Sequence, residues 1–138
     1  MASKSIGGHC LCGKVRWTGS QAPAFSGYCY CGHCRRMSGS GRSPFIGFDA
    51  ADVVVSGETH SYSDSSDQGS GIERHFCPKC GTRLFSIPGS APQFRIFYAG
   101  SLNDSDQFEP SFAIHVASKV AWEEAPRDLE SFDGDAPS

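Results

Sequence analysis

The chain has 138 residues, 38% of them apolar and 12% aromatic, with a formal net charge of −3 and seven cysteines. That length suits a single domain with a modest core, spanning residues 1–138. The mild negative charge argues against a nucleic-acid binder, since basic residues are scattered apart from Arg35-Arg36, and no apolar run reaches membrane-spanning length.

The first residues, MASKSIGGHCLCGKVRW, lack the apolar core of a secretory signal, so a cytoplasmic, reducing location is expected. There, close cysteines more often bind metal or do chemistry than form structural disulfides. Short segments rich in β-branched and aromatic residues then succeed one another. KVRWTG (14–19), FSGYCY (25–30), SPFIGF (43–48), DVVVSG (52–57), IERHFC (72–77), TRLFSI (82–87), QFRIFYAG (93–100) and FAIHVA (112–117) read as strands. Turn signals separate them at 19–23, 57–58, 88–89 and 103–104. Single helical turns are expected near Arg35 to Ser38 and Leu102 to Asp106. SYSDSSDQGSG (61–71) reads as a solvated loop. The polar tail from Ala125 offers Leu129 and Phe132 for packing and is expected to end in a few mobile residues. The fold class expected is all-β with short helical turns.

The cysteines divide four and three. Cys10-Leu-Cys12-Gly and Cys77-Pro-Lys-Cys80-Gly are tight turns, each presenting two sulfurs. In the second, Pro78 presets its φ and Gly81 can take a positive φ, which aims backbone N–H groups at the sulfurs. Two such pairs suit a closed tetrahedral zinc site with Zn–S about 2.3 Å. Such a site stabilises a small domain by on the order of 10 kcal/mol at neutral pH. Two unrelated sets of buried thiols, or disulfides, are the bland alternatives.

Cys29, Cys31 and Cys34 remain, in one short loop. Three protein ligands with one open position is the usual arrangement of a catalytic zinc. Three thiolates make such a centre a poor source of hydroxide and a good holder of an incoming thiol in its thiolate form. The implied chemistry is thiol addition to, or release from, a small electrophile. A fourth side chain, from among His9, His33, His60, His75 and His115, would close the site and make it structural. Cys31-Gly-His-Cys34 also has the spacing of a dithiol redox motif, but that reading needs a helix after it and a parallel βαβ context. RRMSGSGRSPF breaks a helix within about a turn. Arg35 and Arg36 are candidates to bind a substrate carboxylate.

The arrangement resembles the glutathione-dependent formaldehyde-activating enzyme family, which includes the centromere protein V-like domains. The stretches that carry the likeness are GGHCLCGKVRW (7–17), CYCGHCRRMSGS (29–40), ERHFCPKCGTRLF (73–85), AGSLND (99–104) and IHVASKVAW (114–122). The resemblance implies a zinc-stapled β-tent-like fold of small antiparallel sheets. It implies a structural zinc at Cys10, Cys12, Cys77 and Cys80, and a second, labile zinc at Cys29, Cys31 and Cys34 near where glutathione binds. It implies a carbon–sulfur lyase that forms or breaks S-hydroxymethylglutathione from formaldehyde and glutathione. A non-catalytic carrier of glutathione or zinc, or an interaction module, is the alternative, and a dithiol oxidoreductase using Cys31 and Cys34 ranks below it.

Overall fold

The computed structural model describes residues 5–20, 22–65 and 71–136. Within these residues, eleven strands form two sheets. In chain order they are β1 (Ile6–His9), β2 (Arg16–Gly19), β3 (Phe25–Cys29), β4 (Ser43–Asp49), β5 (Val53–Ser56), β6 (His60–Ser65), β7 (Gly71–Phe76), β8 (Arg83–Pro88), β9 (Phe94–Tyr98), β10 (Phe112–Ile114) and β11 (Glu130–Ser131). An α-helix, α1 (Gly32–Ser38), joins β3 to β4. The small sheet has the order β1-β2-β5, and the large one β11-β10-β3-β4-β9-β8-β7-β6. The ladders are antiparallel except for the two that β10 makes, to β3 and β11, which run parallel.

The expected all-β class is the observed one, and all eight predicted strands exist. Three further strands were not foreseen: β1, β6 and β11. The Ser/Asp-rich stretch expected as a loop pairs as β6 over its first residues, Ser61 to Ser65, against β7; residues 66–70 lie outside those described. The helix after Cys31 is also longer than the single turn expected. It runs seven residues to a left-handed C-cap at Gly39. The tail is tied down as far as Asp133 and Gly134, through backbone bonds from His115, Val116 and Ala117. The expectation of a mobile end falls on residues 137–138, outside those described.

The centre of the large sheet is apolar on both faces, which is why β4 and β9 read as near-continuous apolar runs rather than clean alternations. One face packs on the small sheet. Trp17 of β2 stacks on Phe97 of β9 with centroids 4.2 Å apart and meets Phe48 of β4 edge-on at 5.7 Å. Ile6, Val15, Ile46, Leu84 and Phe85 complete this core, together with Cys10 and Cys77. Along β4, side chains alternate. Ile46 and Phe48 enter the core, while Phe45 points to the opposite face and joins a second cluster with Cys29 and Tyr98. The sheet therefore separates a packed interior from the face that carries the inner cysteines.

Candidate metal centres

Cys10, Cys12, Cys77 and Cys80 converge from two turns 65 residues apart at their closest, and their sulfur atoms all lie within 4.8 Å of one another. Cys10 and Cys12 sulfurs are 3.6 Å apart, and Cys12 and Cys77 sulfurs 3.7 Å. A tetrahedron with metal–sulfur bonds of about 2.3 Å has sulfur–sulfur edges of about 3.8 Å. The donor set and its spacing therefore fit zinc.

Each turn is closed by its own backbone. Gly13 N–H donates to Cys10 C=O at 3.0 Å, and Gly81 N–H to Cys77 C=O at 2.9 Å. Both glycines take positive φ, 80° and 78°, a region that costs glycine nothing. Backbone N–H groups of Val15 and Cys80 donate to the sulfurs of Cys10 and Cys77 at 3.3 and 3.5 Å, which spreads the negative charge of a thiolate cluster. Thr82 ties the two turns together. Its Oγ1 accepts from Leu11 N–H at 3.0 Å and lies 3.2 Å from the Cys80 sulfur. That contact, with the N–H groups of Thr82 and Cys12, pulls the Cys80 thiol down to about 5. Lys14 N–H acts the same way on Cys12, but burial and the three neighbouring sulfurs outweigh it and push that thiol up to about 11. Four thiols this close cannot all ionise without a cation among them.

The second group is Cys29, Cys31 and Cys34, whose sulfurs also lie within 4.8 Å of one another. Cys29 ends β3. Cys31 is the N-cap of α1, and its sulfur accepts from Cys34 N–H at 3.3 Å. Cys31 and Cys34, three residues apart, share one face of the helix start. Among the described residues no His, Asp or Glu joins the three sulfurs. His33 sits 3.9 Å from Asp64, His75 bonds Thr59, His60 bonds Glu58, His9 bonds Cys10 C=O, and His115 bonds Asp135. The histidines that were candidates to close the site thus have other partners. Without a metal the trio shares its charge. Hydrogen bonds from Cys29 and Cys34 drive the Cys31 thiol far down, and the same bond to Cys31, then that to Cys34 and burial, drives Cys29 far up.

The trio opens onto a cavity of about 720 Å³ on the large sheet's second face. Cys29, Cys31 and Cys34 line it beside Phe25, Phe45 and Arg74. Arg35 and Arg36 do not line it. Arg36, five residues past Cys31, is turned about 140° round the helix from it and is exposed. Arg36 bonds back to Gly32 C=O at 3.3 Å. Arg74 lines the same cavity and Arg83 acts on Cys34 through its charge, and sequence reading passed over both. Arg74 is 3% exposed, with its Nε 3.4 Å from Asp64. Arg83 lies over the Tyr98 ring at 3.3 Å and donates to Ser43 Oγ at 2.6 Å, and Ser43 donates in turn to Cys34 C=O at 3.2 Å. Both flank the Cys77 turn, in ERHFC and GTRLF, and for Arg74 the strand parity it shares with Ile72, which also lines the cavity, was the one signal that pointed it there.

The dithiol reading meets a strand before and a helix after the motif, but β3 and β4 around α1 are antiparallel. The parallel βαβ context it requires is absent there.

Comparison with known proteins agrees with this arrangement. A curated protein of Halomonas elongata, named "Putative glutathione-dependent formaldehyde-activating enzyme", is 32% identical over 124 residues, covering 85% of this chain and 78% of that protein. A crystal structure of a Rhodobacter sphaeroides protein superposes with a TM-score of 0.58 at 22% identity, over 75% of this chain and 96% of that one, and so shares the fold. The family profile described as glutathione-dependent formaldehyde-activating enzyme matches residues 5–118, a span that takes in both cysteine groups, and the chain belongs to that family.

Proposed function

We propose that the chain is a zinc-dependent carbon–sulfur lyase that forms and breaks thiol adducts of the S-hydroxymethylglutathione kind. The observation that carries this reading is the opening of three gathered cysteines onto a cavity of about 720 Å³, with no fourth donor of the His, Asp or Glu type among the described residues. Cys29, Cys31 and Cys34 would hold zinc, and the ion would supply a positive centre that keeps an incoming thiol deprotonated near neutral pH. The remaining work falls to the chain's own groups. Arg83 places a positive charge beside Cys34. Arg74, almost buried against the cavity, is placed to fork onto a carboxylate of a tripeptide thiol, the role first expected of Arg35 and Arg36. Phe25, Phe45 and Phe112 keep water from the reacting carbon. A cytoplasmic setting fits this chemistry, since glutathione is the thiol pool of reducing compartments.

The test is adduct formation by zinc-loaded protein in excess glutathione and formaldehyde. The expected rate exceeds the uncatalysed one and falls to background in Cys34→Ser. Glutathione binding with no gain in rate would replace the lyase by a carrier or interaction module.

A further inference from the structure

The cavity is lined by more than a formaldehyde site needs. The cysteines of the trio sit in one apolar cluster with Phe25, Phe45, Ile96, Phe112 and Ile114. Phe25 is the hub of the aromatic wall, edge-on to Phe94 at 5.2 Å, Phe45 at 6.1 Å and Phe112 at 6.5 Å, and Phe45 meets Phe112 at 5.6 Å. The wall lies close against the sheet. A Cβ on Gly47 would fall 2.1 Å from the Phe25 ring, so only glycine lets that ring lie flat across β4. Yet Phe25, Phe94, Ile96 and Phe112 are only half-buried, which leaves large apolar surface facing an open volume.

Glutathione itself does not suit that surface. Its carboxylates, ammonium and amides would lose water against phenyl rings and gain no partner there. Its charged ends have Arg74, His33 and His115 among the residues that line the cavity. Formaldehyde leaves a single hydroxymethyl group on sulfur, too small to cover four rings.

We infer that the carbonyl partner is a larger apolar aldehyde, aromatic or long-chain, whose carbon skeleton seats on the Phe25, Phe45, Phe94 and Phe112 wall. This rests on the reading of the trio as a thiol-addition centre. The step is balanced without any oxidant. The thiolate sulfur forms a bond to the carbonyl carbon, the π pair moves to oxygen, and the oxygen takes one proton to give a hemithioacetal. The reverse breaks the carbon–sulfur bond and returns the proton. Of the two products of cleavage, the aldehyde leaves along the apolar wall and the thiol along the polar sides.

The deciding experiment pairs binding with turnover. Calorimetry on zinc-loaded protein compares S-methylglutathione, S-hexylglutathione and S-benzylglutathione, stable thioethers that read the wall without reacting. The last two are expected to bind at least tenfold more tightly, since each buried methylene adds to affinity. Phe94→Ala, and separately Phe112→Ala, should narrow that ratio, with the S-methyl affinity as internal reference for intact folding. Turnover with glutathione plus phenylacetaldehyde or hexanal should exceed that with formaldehyde by at least tenfold in kcat/KM over background. Equal affinities for the three thioethers, with formaldehyde turned over as well as the larger aldehydes, would overturn the inference and leave the lyase reading intact. No turnover of any aldehyde would overturn the lyase reading and, with it, the aldehyde as the wall's occupant, whatever the thioether ratio.

Discussion

Thr82 is a single hydroxyl that joins the two turns of the outer cysteine cluster. It accepts from Leu11 N–H and contacts the Cys80 sulfur, so each turn is positioned by the other before any cation binds. Thr82→Val keeps the shape and removes both bonds. The expected cost is about 1–2 kcal/mol in denaturant unfolding of the zinc-loaded protein, with faster transfer of zinc to a colorimetric chelator; an unchanged transfer rate would mean that the ligands alone fix the site. Arg74 makes the matching case at the second centre. If its guanidinium holds a glutathione carboxylate, Arg74→Gln should weaken glutathione binding by roughly ten- to a hundredfold, the usual worth of a hydrogen bond to a charged group. Thioether binding titrations would read this directly, with Arg74→Lys recovering part of the loss because the charge returns without the fork. Neither residue was legible as functional in the sequence. Thr82 looks like any strand-opening threonine, and Arg74 like one of 12 scattered basic residues. Their roles depend on partners far along the chain, Leu11 at a separation of 71 for Thr82, and local pattern, which can turn Arg74 inward, does not name those partners.

At the level of elements, the chain was legible where physics is local. β4 and β9 announce themselves by apolar and aromatic density, and the two outer cysteine turns by their spacing and their glycines. β1 was missed because IGGH has two glycines in four residues, and its pairing with β2 supplies what propensity does not. β6 was missed because its residues are polar and nearly all exposed, so no alternation betrays it; β7 alone holds it in register. The same stretch hides Asp64, the partner of Arg74 and neighbour of His33. α1 was underestimated because Ser and Gly dominate the residues soon after Cys34, while its start is set by Cys31 as N-cap and its end by Gly39. The Phe25 ring over Gly47 is a further device of element packing. Gly47→Ala should force that ring off β4, costing about 1–3 kcal/mol by overpacking. It should also reduce the S-hexyl over S-methyl binding ratio more than it reduces S-methyl binding. Unfolding measured alongside the thioether titration separates the two effects, and an unchanged ratio would mean that Phe25 is no part of the wall.

For the molecule as a whole, the two cysteine groups predict different consequences of losing metal. The outer four cysteines join β1's end to the β7–β8 turn, and Cys10 and Cys77 lie inside the main core, 0% and 1% exposed. Structural zinc of this type contributes on the order of 10 kcal/mol, comparable to the entire stability of a typical domain, roughly 5–15 kcal/mol. Cys77→Ser, or full chelation, should therefore abolish the cooperative unfolding transition and much of the β signal in circular dichroism. The inner three cysteines lie on the sheet's other face, in a loop whose helix is also held by Ser43 and Gly39. Cys34→Ser should leave one zinc per chain and a cooperative transition. The pH dependence has a definite sign. Zinc needs its cysteines deprotonated, so the loaded folded chain carries fewer protons than the unfolded, metal-free one. Stability in buffered zinc should then rise with pH and fall on acidification, and Cys34→Ser should retain most of that slope, because the four outer cysteines remain. Unfolding midpoints of the wild type and Cys34→Ser, followed from mildly alkaline to mildly acidic buffer, would measure it. A wild-type midpoint that stays level as zinc is released would mean that the packed sheets, and not the outer metal site, carry the fold.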